Sequence, residues 1–272
     1  MLRIPHRAIL SLTGPDTLAL LERTVTHTVA DWREGEMRYG GLLTPQGKLI
    51  ADYLAVRTGD GVLIDVHEDA AEDLLKRLKM FRLRSAVEIE RRDDLAVVSE
   101  KTGDDDPRSP KLWWREIVPA TAVTGSIDPG RYEEVRIAAG VPEWSRDYRA
   151  AEVFPTDINM DLMDGIDYRK GCFVGQEVAS RMKRKGLIRK RTVRVTGDAM
   201  APGAELRGDE TVLGTVTSAA GGEALALVRT DRLAKALRGG ADLSANGSPA
   251  RLAMPDWLAG ELKAHAEAGA DE

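Results

Sequence analysis

Apolar residues recur every three or four positions near the start of the chain, at Leu18, Leu21, Val25 and Val29. This spacing predicts an amphipathic helix within residues 15–30, directly after Gly14. The apolar residues 8–12 before it predict a short strand. The chain therefore opens with a strand followed by a helix.

Alternating, β-rich segments follow from residue 38 and predict a hairpin, with its turn at Gly59-Asp60-Gly61. A helix is predicted over residues 69–81, and strands are predicted on either side of Arg92-Asp93-Asp94. Residues 52–99 thus have the order β-β-α-β-β, which is typical of a small α+β module. The polar segment 101–111 contains two prolines and predicts an exposed loop.

A third helix is predicted at residues 130–140, near the middle of the chain, and it ends at Gly140. Beyond Arg191 the pattern is strand-like again, in the segments TVRVTG, GAELR, TVLGTVTSA and ALALVRT. Short strands with regular turns predict a small β-barrel or sandwich. Residues 259–272 are rich in Ala and Glu with few apolar anchors, and predict frayed helix or disorder.

Length and charge limit the class of protein. At about 150 residues per domain, 272 residues predict two domains or three small ones. A hydrophobic fraction of 43% predicts a folded chain. The net charge of −5 excludes a general attraction to nucleic acid or anionic membrane, so any basic patch must be local. No apolar run approaches the roughly 18 residues of a membrane span, and the first residues do not resemble a secretory signal.

Cys172 is the only cysteine, so a disulfide within the chain and a cysteine-rich metal cage are both excluded. The four histidines lack the spacing of a zinc site, and we expect no bound metal. A single thiol is typical of a reducing compartment. We therefore expect a cytoplasmic location.

The segment 164–191 is strongly basic. From Arg169 to Arg191 there are nine Lys and Arg residues and one acid, Glu177. Such a run is usually a solvated helix face. Its functional interpretation is a site for an anion: a phosphate, a polyglutamyl tail or a nucleic-acid backbone.

Cys172 lies in this segment, at what we predict to be the start of a helix. A helix N-terminus and nearby cations both favour the thiolate, whereas a lone cysteine is more often a small buried hydrophobe. In the same helical arrangement Phe173, Glu177 and Arg181 would share one face. Gly171 and Gly175 permit close approach of a ligand, although turns or helix contacts would explain them equally well.

The string KGCFVGQEVASR is similar to the signature of the YgfZ family. These proteins are folate-binding relatives of the glycine cleavage T protein GcvT and act in iron–sulfur protein maturation. The resemblance extends to YEEVRIAAGVPE, FPTDINMDLMDGIDY and KGLIRKR, and to LTGPDTLALLERTVTHTV and LLTPQGKLIADYLAVR near the start. It covers about two thirds of the chain, and matches the C-terminal strands only in pattern.

The resemblance implies an α+β fold with three domains in a GcvT-like cloverleaf around a channel for tetrahydrofolate. The implied ranges are a folate-binding domain at 1–50 plus 128–190, a ferredoxin-like α+β domain at 51–127, and a small β-barrel domain at 191–258. Residues 259–272 are left as a tail.

The resemblance also implies the site residues. Cys172 and Asp52 are the candidate reacting groups, and the candidate folate-binding residues are Lys170, Gly171, Gly175, Gln176, Glu177, Arg181 and Tyr53. GcvT-like enzymes carry paired acids near the folate, but this chain has Ala51 beside Asp52, and Ala138 at a second position where an acid is expected. Aminomethyl transfer needs a carboxylate to handle an amine proton, so these departures count against it.

We therefore interpret the sequence as a folate-binding factor that assists assembly or repair of [4Fe–4S] proteins through a reactive thiol. We favour a non-enzymatic factor whose partners are folate and iron–sulfur apo-proteins or assembly proteins, with no membrane and no nucleic acid. The alternative is a tetrahydrofolate-dependent aminomethyltransferase with Asp52 as its acid/base. A weaker alternative is an RNA-binding protein that uses residues 181–191.

Overall fold

The computed structural model describes residues 1–100, 106–184 and 187–268, with mixed helices and strands. The chain divides into two compact units. The first comprises Met1–Tyr132, Arg149–Pro155 and Met160–Ala179, and the second comprises Glu133–Tyr148, Thr156–Asn159 and Ser180–Glu272. The α+β class is confirmed. The four predicted domain ranges are a different division and stay predictions.

The elements of the first unit follow the predicted order closely. They are β1 (Leu2–Arg3), β2 (Arg7–Thr13), α1 (Thr17–Thr24), β3 (Met37–Leu43), β4 (Leu49–Arg57), β5 (Gly61–His67), α2 (Glu68–Arg82), β6 (Glu88–Arg91), β7 (Leu95–Glu100), β8 (Trp114–Pro119) and β9 (Gly125–Ser126). Helix α3 (Pro129–Ala139) begins in this unit and ends in the second.

The strands of the first unit form two separate sheets. Five antiparallel strands have the order β3-β4-β5-β2-β6, and four strands have the order β8-β7-β1-β9. The predicted β-β-α-β-β order is present, but β6 pairs with β2 while β7 pairs with β1 and β8. Helix α2 packs on the five-stranded sheet through buried Ala70, Ala71, Leu74 and Leu78.

The first helix is shorter than its hydrophobic spacing predicts. It ends at Thr24, and Val25 then forms an isolated bridge to Leu42. The reason is local, because the sequence TVTHTV is rich in β-branched residues, which favour extended backbone. Helix α3 was predicted correctly, and Gly140 follows it with a positive φ of +77°.

The second unit contains a nearly closed β-barrel. Its elements are α4 (Gln176–Arg184, which begins in the first unit), β10 (Lys190–Thr196), β11 (Glu205–Gly208), β12 (Thr211–Ala220), β13 (Glu223–Arg229), α5 (Thr230–Arg238), β14 (Leu243–Ala245), β15 (Ser248–Pro249), β16 (Arg251–Leu252) and α6 (Asp256–Ala268). The seven strands have the order β15-β14-β11-β12-β13-β10-β16. The predicted C-terminal barrel is confirmed.

The expectation of a frayed tail is wrong for residues 259–268. They belong to α6, whose Leu258 and Leu262 are buried in the core of the barrel unit, and Glu261 forms an ion pair with buried Arg191 at 2.5 Å. Two apolar residues four positions apart suffice to dock a short helix. No helix among the described residues has the length and apolar character needed to cross a membrane.

Candidate functional site

The loop before α4 carries the cysteine. Cys172 is exposed and lies four residues before Gln176, where the helix begins. The prediction that it sits at a helix start is therefore wrong, and so is the small buried hydrophobe that we kept as an alternative. A thiol outside the helix loses the dipole effect, which falls off within the first turn.

Lys170 anchors the loop on one side of the thiol. Its Nζ atom donates to the carbonyls of Val25 at 2.9 Å and His27 at 2.7 Å, and lies 3.5 Å from the Glu22 carboxylate. The side chain is 0% exposed. Burial lowers the pKa of Lys170, while Glu22 opposes this effect. Since this ammonium is already bonded to backbone, it is not presented to a ligand.

Residues 173–176 anchor the other side. Phe173 is buried with its ring 5.4 Å from the Lys170 ammonium, and Gln176 Nε2 donates to the Lys170 carbonyl at 3.3 Å. Gly175 has φ +80°, and a Cβ atom there would lie 2.5 Å from the Thr44 carbonyl oxygen. Packing therefore requires glycine here, and a role of Gly175 in ligand binding stays a prediction.

The remaining residues of the motif are exposed: Gly171, Glu177 and Arg181. Gly171 has no atom near enough to make a Cβ atom clash. Arg181 belongs to the second unit, whereas Cys172 and Glu177 belong to the first. The loop therefore presents the Cys172 thiol between two anchored residues, Lys170 and Phe173. Most of the predicted folate-binding residues near the thiol are exposed or already bonded within the protein.

Asp52 and Tyr53 lie on opposite faces of β4, because successive strand residues alternate. Asp52 is buried and accepts a hydrogen bond of 3.0 Å from the Tyr39 hydroxyl. Burial and the Asp52 charge raise the pKa of Tyr39 well above its ordinary value, so Tyr39 is a donor here. Tyr53 packs edge-on against His27 at 5.9 Å, on the face opposite Asp52. The two residues therefore face different surroundings, and their roles as a reacting group and a folate-binding residue stay predictions.

A buried cluster of charges lies on the Asp52 face, and the sequence analysis missed it. Asp65 is 0% exposed and binds Arg7 at 2.5 Å and Arg115 at 2.8 Å. Asp106 binds Arg108 at 2.8 Å and lies 3.6 Å from Arg115 Nε. These contacts join the two sheets of the first unit. One signal was available, since Asp65 interrupts the apolar strand VLIDV.

Asp106 and Arg108 correct the prediction of an exposed loop at 101–111. Residues 101–105 lie outside the described residues, but Asp106 and Arg108 are buried. Arg108 also lies over the Tyr39 ring at 5.9 Å. Mutual neutralisation explains how these charges can leave water, since a buried ion needs a partner at hydrogen-bond distance.

The stability of the protein should fall in acid through Asp106. Burial alone would raise the pKa of Asp106, but the Arg108 and Arg115 guanidiniums and the hydrogen bonds from Arg108 lower it to about 2. The unfolded value is about 3.9, so the ionised carboxylate stabilises the folded state above about pH 4, and this contribution is lost as the pH falls through about 2. Thermal unfolding of wild type and Asp106→Asn should show a melting-temperature difference that narrows over this window. A constant difference would contradict the assignment.

A cavity of about 830 Å³ opens on the same sheet face as Asp52, bounded by β3, β4, β5 and β8. Its lining residues are Glu34, Gly35, Glu36, Met37, Val56, Arg57, Thr58, Leu63, Pro107, Trp114, Arg115, Glu116 and Ile117. None of the predicted site residues lines it. Within the described residues, no group of three or more His, Cys, Asp or Glu could hold a metal ion.

Comparison with known proteins identifies a matching domain model and similar sequences. Residues 189–260 match the family model of the CAF17 C-terminal beta-barrel domain. The chain is 32% identical over 227 residues to the Mycosarcoma maydis protein named "Iron-sulfur cluster assembly factor IBA57 homolog, mitochondrial", which covers 70% of this chain and 55% of the relative. The Neurospora crassa protein of the same name is 29% identical over 226 residues, covering 70% and 52%. The chain thus spans about half the length of these relatives.

A comparison with solved structures concerns the fold. The crystal structure of glycine cleavage system aminomethyltransferase T from Bartonella henselae superposes with a TM-score of 0.73, covering 94% of this chain and 85% of that chain. The sequences are 14% identical, so this likeness shows the fold alone.

The expected cytoplasmic location is contradicted, because the relatives that match are named as mitochondrial. The single cysteine indicates reducing surroundings and does not identify the compartment that supplies them. The chain is thus related over about 70% of its length to proteins named as iron–sulfur cluster assembly factors, and it combines a GcvT-like fold with a C-terminal barrel that matches the CAF17 model.

Proposed function

We propose that this chain assists the assembly or repair of iron–sulfur proteins as a YgfZ-like factor, with Cys172 as its working thiol. The observation that carries the proposal is the exposed Cys172 on a loop fastened on both sides, by the Lys170 ammonium and by buried Phe173. The names of the relatives support the same process.

The geometry suits a thiol that meets a partner. An exposed side chain on an anchored backbone can reach an external iron or sulfur atom with little loss of conformational freedom. A cluster usually takes four ligands, so a chain with one cysteine would share a cluster with a partner protein or a small thiol. Cluster atoms are cargo in this proposal, and the chain needs no cluster of its own.

A deletion strain tests the proposal. The activity of a [4Fe–4S] enzyme such as aconitase is compared with and without the restored chain, and the amount of enzyme protein is measured in parallel. We expect lower activity per enzyme molecule in the deletion strain and recovery with the chain. Unchanged activity per molecule under oxidative stress would contradict the proposal.

We propose that tetrahydrofolate binds in the cavity rather than at the predicted motif residues. Lys170 and Gln176 are bonded to backbone, and Gly175 is needed for packing. The cavity of about 830 Å³ lies within the usual range of roughly 300–1,000 Å³ for cofactor sites. It also combines an aromatic ring with carboxylates and guanidiniums.

Parts of the lining suit parts of a folate. Trp114 offers a ring on which a pterin could stack, and Glu34 can accept its N–H groups. Arg57 uses Nη1 to bind the Trp32 carbonyl, and its other N–H groups can bind the glutamate carboxylate. When bound, tetrahydrofolate would supply a carrier for one-carbon units.

Trp114→Ala should weaken folate binding about tenfold, because a stacked ring contributes about 1–3 kcal/mol. Isothermal titration with tetrahydrofolate measures this, and Glu177→Ala and Arg181→Ala are the matched controls at the predicted motif. If Trp114→Ala bound folate as wild type does and the two controls bound it more weakly, folate would bind at the predicted motif and not in the cavity.

An aminomethyltransferase is the second candidate, supported by the fold and by buried Asp52 beside Tyr39. Ala51 and Ala138 still stand where acids are expected, which counts against it. The RNA-binding alternative loses support because Arg191, the last cation of the run, is buried in its pair with Glu261.

A further inference from the structure

The two most exposed large hydrophobic residues of the described chain lie together at the end of α2. Leu83 is 82% exposed and Met80 is 60% exposed. Met80 lies in the last turn of α2, and Leu83 is the first residue after the helix, three positions further along the chain. Single exposed apolar residues are common, but adjacent protruding ones indicate a contact surface.

The stability of the fold does not explain why a leucine occupies position 83. Ser85 N donates to the Arg82 carbonyl at 2.9 Å and closes a four-residue turn, in which Leu83 is the first central residue. Leu83 has φ +51° and ψ −113°, a conformation that glycine normally supplies in such turns. The side chain strains the backbone and gains no burial in return.

Cations surround these two side chains. Residues 74–87 contain no acid and five Lys and Arg residues: Lys76, Arg77, Lys79, Arg82 and Arg84. Arg23 adds a sixth cation, since its guanidinium donates to Ser85 Oγ at 2.7 Å. Four acids lie at the border: Asp73, which pairs with Arg77, Asp16, which accepts from Ala86 N, exposed Glu72, and Glu88.

We propose that this surface, the basic tip of residues 76–84, binds an anionic lipid bilayer. Leu83 and Met80 enter the boundary between headgroups and acyl chains, while Lys76, Lys79 and Arg84, all exposed, lie among the lipid phosphates. This is the kind of local basic patch that a net charge of −5 leaves room for. The proposal does not depend on the function of Cys172.

The small apolar area of the tip and its protruding side chains favour a lipid bilayer over a protein partner. A stable protein interface buries about 1,600 Å² around a packed apolar centre, and two side chains are too few to form one. Protruding apolar side chains need a pocket in a rigid protein, whereas a bilayer accepts them without a preformed shape.

Sedimentation with vesicles tests the proposal. The probes are vesicles of phosphatidylcholine alone and vesicles with equal parts of phosphatidylcholine and phosphatidylglycerol. The variants are Leu83→Gly and Arg84→Glu, and Met254→Gln is the matched control because Met254 is 48% exposed elsewhere. Leu83→Gly keeps the fold, since glycine adopts this φ without strain, and its melting temperature should equal or exceed that of wild type.

We expect binding to the anionic vesicles only, weakened by salt, about tenfold weaker in Leu83→Gly, weaker in Arg84→Glu and unchanged in Met254→Gln. Equal binding by wild type and Leu83→Gly would overturn the proposal, as would equal loss in Met254→Gln. No binding to the vesicles, with binding to soluble polyglutamate that Leu83→Gly weakens, would instead assign the tip to an acidic protein.

Discussion

Asp65→Asn should destabilise the protein by about 3–5 kcal/mol, the usual cost of removing one partner from a buried ion pair. The carboxylate is 0% exposed and binds both Arg7 and Arg115, whose side chains are 6% and 1% exposed. Asparagine has nearly the same shape but carries no charge. Two guanidiniums would therefore remain buried with one fewer carboxylate, and neither can lose its proton.

Chemical denaturation monitored by tryptophan fluorescence measures this effect. Asp93→Asn is the matched control, because Asp93 is 81% exposed and its pair with Arg91 at 2.8 Å lies in water. An exposed pair is worth under about 1 kcal/mol, so the control should unfold close to wild type. If Asp65→Asn were as stable as the control, the buried cluster would not join the two sheets as we infer.

The spacing of apolar residues predicted helices and strands correctly where it repeats regularly along an element. The spacing of Ala70, Leu74 and Leu78 predicted α2, and the strands of the barrel were predicted from their alternation and from turns such as Pro202-Gly203. Such patterns report which face is buried. They do not report which strands pair, so the separation of β6 from β7 into two sheets could not be predicted.

Long-range polar contacts were the main source of error. Asp106 was expected in an exposed loop and Lys170 was expected to bind folate, yet each is buried by partners distant in sequence, such as Arg115 and the Val25 carbonyl. Burial of a charge depends on partners that only the fold brings together. In the motif around Cys172, the Lys170 ammonium and the Gln176 amide hold the loop in place, and the part of the motif in folate binding stays a prediction.

Cys172→Ser should reduce complementation of a deletion strain at least about tenfold, because serine keeps the shape of cysteine without its nucleophilic sulfur or its affinity for soft metals. The substitution is at an exposed position, so folding should be unaffected. The measured quantity is the activity of a [4Fe–4S] enzyme under oxidative stress at equal levels of each variant. Arg169→Ala is the matched control, since the Arg169 side chain is 95% exposed three residues away.

Asp52→Asn in the same strain separates the two candidate functions. Asparagine still offers the Tyr39 hydroxyl an acceptor oxygen, so the fold should persist. A carboxylate that transfers a proton contributes about 10²- to 10⁴-fold to a rate, so an aminomethyltransferase would lose nearly all activity. For an assembly factor that works through its thiol we expect Asp52→Asn to complement and Cys172→Ser to fail. Full complementation by Cys172→Ser with failure of Asp52→Asn would promote the transferase, because only that reaction needs a carboxylate where Asp52 lies.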